Sequence, residues 1–162
     1  MRLRTFEYRH AESVLGANLR LRKEIERILD NLELDPGSHT NGDANRPHQQ
    51  IQRAFLRHGW RAESLVSART AHRQYFDLYK DRVAIEIELT NREMLYRDYL
   101  RFQVAETEGT LDVGVIIVFD RDPRYSSTET AHNSHPHLED VVDDLKALRG
   151  LVAVPIWVLA IS

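Results

Sequence analysis

The sequence predicts an α/β fold in which a mixed β-sheet is covered by helices on both faces. Three observations lead there. Segments of strand character alternate with segments of helical periodicity along the chain. The later apolar runs, 113–119 and 152–161, are nearly continuous, as in strands buried on both sides. The stretch Tyr75 to Leu89 reads as two short strands around the charged turn Lys80-Asp81-Arg82.

Taken in order, Tyr8-Arg9-His10-Ala11-Glu12 precedes a helix over 18–32, whose Leu21, Ile25, Ile28, Leu29 and Leu32 keep to one face. The run 35–47, rich in Pro, Gly, Asn and Asp, is a loop. Pro47 opens a second helix that closes at Gly59. A short strand over 63–67 leads into the hairpin. Thr90-Asn91 then supplies an N-cap for a helix over 92–105. Gly109 breaks the chain before the strand 113–119, and a second loop follows over 120–128. A helix over 137–148 ends at Gly150, and the strand 152–161 is buried. Trp60 and Trp157 are expected as core anchors.

With 162 residues, 42% hydrophobic and 29% charged, the chain suits a single globular domain over 1–162. It has no cysteine, which excludes disulfides and thiolate metal sites. Met1-Arg2-Leu3-Arg4 leads into no apolar run and no later run is long enough to span a bilayer, so a cytoplasmic protein is expected. The net charge of −3 does not by itself advertise a nucleic-acid binder, although a basic groove can coexist with acidic faces.

The chemistry concentrates in the hairpin. On its second strand, period-two alternation puts Val83, Ile85 and Ile87 in one buried row and projects Glu86 and Glu88 from the other side. Asp77, on the first strand, can fold back beside Glu86. Three carboxylates converging beside an apolar layer repel one another unless a cation neutralises them. Hard oxygen donors without cysteine favour Mg²⁺ or Mn²⁺, the ions of metal-assisted phosphodiester hydrolysis. The competing reading is a solvated hairpin face whose acids pair with Lys80 and Arg82.

The chain resembles the BglII/BamHI-like type II restriction endonucleases of the PD-(D/E)XK superfamily. The opening Tyr8-Arg9-His10-Ala11-Glu12-Ser13-Val14-Leu15 with Lys23-Glu24-Ile25-Glu26 looks like that family's first helices. Asp77, then eight residues, then Glu86-Ile87-Glu88 has the spacing of its acidic motif. Gly114-Val115-Ile116-Ile117-Val118 and Val154-Pro155-Ile156 look like its later core strands. The resemblance implies a restriction-endonuclease-like core. It implies Asp77 and Glu86 as metal ligands, the backbone carbonyl of Ile87 as a further oxygen donor, and Glu63 as the upstream polar residue of the metal shell. Glu88 stands where most of the superfamily carries lysine, where BamHI-like members carry glutamate and BglII carries glutamine. It would orient or deprotonate the attacking water. Asn91 falls where the family places a base-reading asparagine, though an N-cap role would explain it equally.

Arg92, Arg97 and Arg101 follow on the next helix, where pairing with Glu93 or Asp98 at the surface competes with phosphate contact or dimer packing. His132, His135 and His137 match no zinc spacing and read as exposed loop histidines. The combined expectation is a Mg²⁺-dependent endonuclease (Mn²⁺ possible) acting on double-stranded DNA. A homodimer is expected, because a double-strand cut needs two active sites and a two-fold dimer suits palindromic DNA. The alternatives are a catalytically silent DNA-binding module and a nuclease subunit that takes its specificity from a partner.

Overall fold

The computed structural model describes residues 3–34, 46–69, 73–120 and 135–162. Most of the expected loops, and His132 with them, lie outside the described residues. Six strands form one sheet: β1 (Leu3–Tyr8), β2 (Arg61–Leu65), β3 (Tyr75–Lys80), β4 (Val83–Ile87), β5 (Val113–Phe119) and β6 (Ile156–Ile161). Their spatial order is β1-β6-β5-β4-β3-β2. The central pairs β4–β5 and β5–β6 are parallel, and the flanking pairs are antiparallel. The mixed sheet is therefore as expected, and its parallel strands are the apolar ones because both their faces are covered.

The helices are α1 (Ala11–Gly16), α2 (Leu19–Asp30), α3 (Arg46–Leu56), α4 (Met94–Thr107) and α5 (Leu138–Ala147). Helices α1 to α3 pack on one face of the sheet through Leu15, Ile25, Leu29, Ile51 and Phe55, against the row Val83, Ile85 and Ile87. Helices α4 and α5 cover the other through Leu95, Tyr99, Phe102, Val141 and Leu145, against Ala84, Ile116 and Val118. Trp60 and Trp157 are both buried in the first layer. Asn18 caps α2, its side chain accepting from the Leu21 N–H at 3.3 Å.

Several boundaries differ from expectation. Strand β1 went unread, since its mostly exposed edge carries no buried alternation. Strand β2 begins two residues before the expected 63, and β6 begins only at Ile156, after Pro155. Helix α4 starts at Met94, because the side chains of Glu88 and Asn91 accept backbone N–H groups ahead of it and hold 90–93 in turns. His137, expected exposed, is the buried N-cap of α5 in a reciprocal pair with Asp140. His135 is half-buried, with Nδ1 2.5 Å from the Leu89 carbonyl.

Candidate active site

The β3–β4 turn has Asp81 at φ 47° and Arg82 at φ 64°, the two left-handed residues that a two-residue hairpin turn requires. This turn fixes the register, pairing Lys80 with Val83, Tyr79 with Ala84 and Leu78 with Ile85. One step further, Asp77 faces Glu86. Here the ladder stops: β3 continues beside β2, and β4 beside β5. Side chains take over the backbone groups that the fork exposes. Oδ2 of Asp77 accepts the Ile87 N–H at 2.9 Å, and Oε2 of Glu86 accepts the Asp77 N–H at 3.4 Å. The spacing of nine residues thus places the two acids together at a break in the sheet.

Two helices close on this fork from opposite faces. From α3, Nε2 of His48 lies 3.1 Å from Oδ2 of Asp77, and one turn on, Gln52 donates to the Asp77 carbonyl at 3.3 Å. From α4, Arg101 donates through Nη1 to Oε1 of Glu86 at 3.1 Å and to Oδ1 of Asp98 at 3.2 Å, and through Nε to Gln74. Arg101 was expected at the surface with Asp98; both are turned inward, and Asp98 is buried. His48 was not anticipated. A histidine in the first turn of a helix carries no sequence signal of what it will face.

The charges respond to this packing. Glu86 is 2% exposed, and burial followed by the nearby charges of Asp98 and Asp77 raises its pKa well above the carboxylate range, with Arg101 pulling the other way. Burial likewise pushes Asp98 up to about 7. Burial would raise Asp77 too, but the His48 hydrogen bond and the Ile87 N–H outweigh it and leave the pKa lowered. The same hydrogen bond raises the pKa of His48.

Glu88 does not join the pair. The strand ends at Ile87, so alternation no longer governs it, and its Oε1 accepts the N–H groups of Thr90 at 3.3 Å and Asn91 at 2.9 Å. Among the described residues no three His, Cys, Asp or Glu side chains form a metal-holding group. Glu63 lies across from Asp77, between the pairs Ala62–Leu78 and Ser64–Phe76, with an exposed side chain and a φ of 50° that kinks β2. Asn91 is exposed and accepts from the Glu93 N–H, a local turn rather than the N-cap of α4. Arg92 bridges to α5 through Asp140 at 3.1 Å and Asp144 at 3.6 Å. Arg97 is exposed. The competing hairpin-face pairing is overturned: Lys80 pairs with Glu24 at 2.7 Å and Arg82 with Asp112 at 2.6 Å, away from Asp77 and Glu86.

The sequence matches the family model "Restriction endonuclease BglII/BglIII" over residues 3–161. The chain belongs to this family. It is a DNA endonuclease that hydrolyses phosphodiester bonds in dependence on Mg²⁺. Solved structures agree on the fold. BglII complexed with a DNA 16-mer superposes with a TM-score of 0.81 at 20% identity, covering 99% of this chain and 76% of that one. Free BglII superposes with a TM-score of 0.69 at 20% identity, covering 100% and 80%. No match emerges among curated proteins. Among the described residues no helix is long and apolar enough to cross a membrane.

Proposed function

We propose that this endonuclease cuts double-stranded DNA at a specific sequence as a homodimer, with Asp77 and Glu86 holding Mg²⁺. The observation that carries the reading is the fork: two carboxylates face each other where the ladder opens, and Oδ1 of Asp77 is left without a hydrogen bond among the described residues. The donor set fits the ion. It is all oxygen, and Glu86 is a carboxyl raised first by burial and then by the charges of Asp98 and Asp77, a group that gains from one more cation. Two carboxylates suffice, because Mg²⁺ typically takes one or two from the protein and completes its shell with water and substrate phosphate. The carbonyl of Ile87 would be a third protein donor, and Glu63, at the kink in β2, would act through one of the ion's waters. Bound there, Mg²⁺ supplies charge stabilisation at the scissile phosphate and favours ionisation of a water.

The chain's own residues do the rest. Glu88 has Oε1 fixed by two backbone N–H groups, which leaves Oε2 to take the proton of the attacking water. Arg101 keeps the buried carboxyls from repelling one another. Asn91 and Arg97 are exposed beyond the active-site strand, where Asn91 contacts a base edge and Arg97 a phosphate. Arg92, half-exposed, reaches the backbone from its bridge to α5. In-line attack by water leaves 5′-phosphate and 3′-hydroxyl ends.

The test is incubation of unmodified phage and plasmid DNA with the protein in Mg²⁺, Mn²⁺ or EDTA. Discrete metal-dependent fragments are expected, absent with Asp77→Ala or Glu86→Ala. A smear would remove the sequence specificity, and cleavage by both variants at the wild-type rate would remove the metal ligands. DNA binding without cutting in either ion would favour a binding module or a partner-dependent subunit.

A further inference from the structure

We infer that His48 is a positioning residue for metal binding: it holds Asp77 so that one carboxylate oxygen stays aimed at the ion. The inference rests on the assignment of Asp77 as a ligand and adds a residue from a helix outside the acidic motif. An ionised carboxylate can only accept hydrogen bonds, so Asp77 selects the tautomer of His48 with hydrogen on Nε2. Oδ2 of Asp77 then receives two N–H groups from two directions, the Ile87 backbone at 2.9 Å and the His48 ring at 3.1 Å. Oδ1 receives none among the described residues. The two oxygens are thereby given separate tasks, one anchored to protein and one available to a cation.

The backbone beneath Asp77 needs the same support. Residues Phe76 and Leu78 pair with Ser64 and Ala62, but at Asp77 the β2 ladder is broken opposite the left-handed Glu63, and the β4 ladder has already ended. Gln52 donates to the Asp77 carbonyl at 3.3 Å in place of the missing strand partner. His48 and Gln52 are four residues apart on α3 and so share one face, which grips Asp77 at side chain and main chain together. Ile51 and Phe55, buried in the core beside this face, anchor the helix that carries the grip. Without the ring N–H, Asp77 would keep one donor and could rotate away from the ion. Partners of this kind around metal ligands commonly govern affinity by about 10- to 100-fold.

The experiment compares wild type, His48→Ala, His48→Phe, His48→Gln and Asp77→Asn. Each is titrated with Mn²⁺ without DNA, the free ion being counted by electron paramagnetic resonance, and thermal midpoints and cleavage rates against metal concentration are recorded in parallel. Loss of the ring N–H, in Ala or in the volume-conserving Phe, is expected to weaken Mn²⁺ binding by roughly 10-fold or more. His48→Gln, which still offers an N–H at similar reach, should restore binding to within a few-fold of wild type. Asp77→Asn should show the greatest loss. Wild-type Mn²⁺ affinity in His48→Phe, with Asp77→Asn impaired, would overturn the role of His48 alone. Wild-type affinity in Asp77→Asn would instead overturn the ligand assignment. A Gln variant as weak as Phe, at an unchanged midpoint, would also count against the hydrogen bond as the cause.

Discussion

Arg101 shows how much a single side chain carries at this site. It stands between Glu86 and Asp98, and its side chain is 12% exposed while theirs are 3% and 2%. Arg101→Ala would leave two carboxyls buried without their cation, so a loss of about 3 kcal/mol is expected in urea unfolding. Arg101→Lys should recover part of it, since an ammonium supplies the charge without the guanidinium fork. A second residue gives a pH signature away from the site. Burial works to raise Glu24, but the Lys80 ammonium at 2.7 Å and the Trp60 indole N–H at 2.8 Å outweigh it and lower its pKa. A depressed carboxylate contributes stability that is present above its unfolded value of about 4.3 and is lost as pH falls through the folded value. The advantage of wild type over Glu24→Gln in thermal midpoint should therefore be full at pH 7 and shrink below about pH 4. The opposition of Asp77 and Glu86 was legible in the sequence because a tight turn converts spacing into register. His48 and Arg101 were not, because helical periodicity says which residues share a face and is silent on what that face meets. Only the expected convergence of Glu88 with Asp77 and Glu86 fails, because the strand ends one residue before it.

At the scale of elements, α4 is seated on β5 by a missing side chain. A Cβ at Gly114 would come within 2.5 Å of the Phe102 ring, whose root as well as its edge lies in the way, so the helix itself would have to move. Gly114→Ala is expected to cost about 1–3 kcal/mol by overpacking. Because the displaced helix also carries Arg101, cleavage should fall beyond what the reduced folded fraction explains; an activity loss matching the unfolded fraction alone would argue against this coupling. The central strands were plain in the sequence since burial on both faces leaves only apolar residues apart from Glu86. The edges were not. Strand β1, LRTFEY, offers water much of its surface and mixes charge with apolar residues, so it does not display the period that marks a strand; β2 was expected over 63–67, but its start at Arg61, before the left-handed Glu63, was not. Helix α4 was placed correctly in the main, but its start was set by side chains of the preceding turn, which local capping preference alone does not resolve.

For the whole molecule, one chain presents one fork, and a duplex cut calls for two. Sedimentation is expected to give twice the 18.9 kDa chain mass, unchanged in Glu86→Ala, which alters the site and not the association. A monomer in the presence of cognate DNA would remove the dimer. The net charge of −3 also makes DNA affinity depend on where the charge sits and on the bound ion rather than on its total. One topological fact bears on when such an enzyme becomes dangerous to its maker. β1, early in the sequence, pairs with β6 near its far end, Leu3 opposite Ile161, and β6 also flanks β5, the neighbour of the strand that carries Glu86. Translation delivers the acids of the hairpin long before the strand that completes their support. Contacts this distant in sequence form late and together. The topology thus acts as a timer: a growing chain on the ribosome holds Asp77 and Glu86 before it holds the strand that completes their sheet.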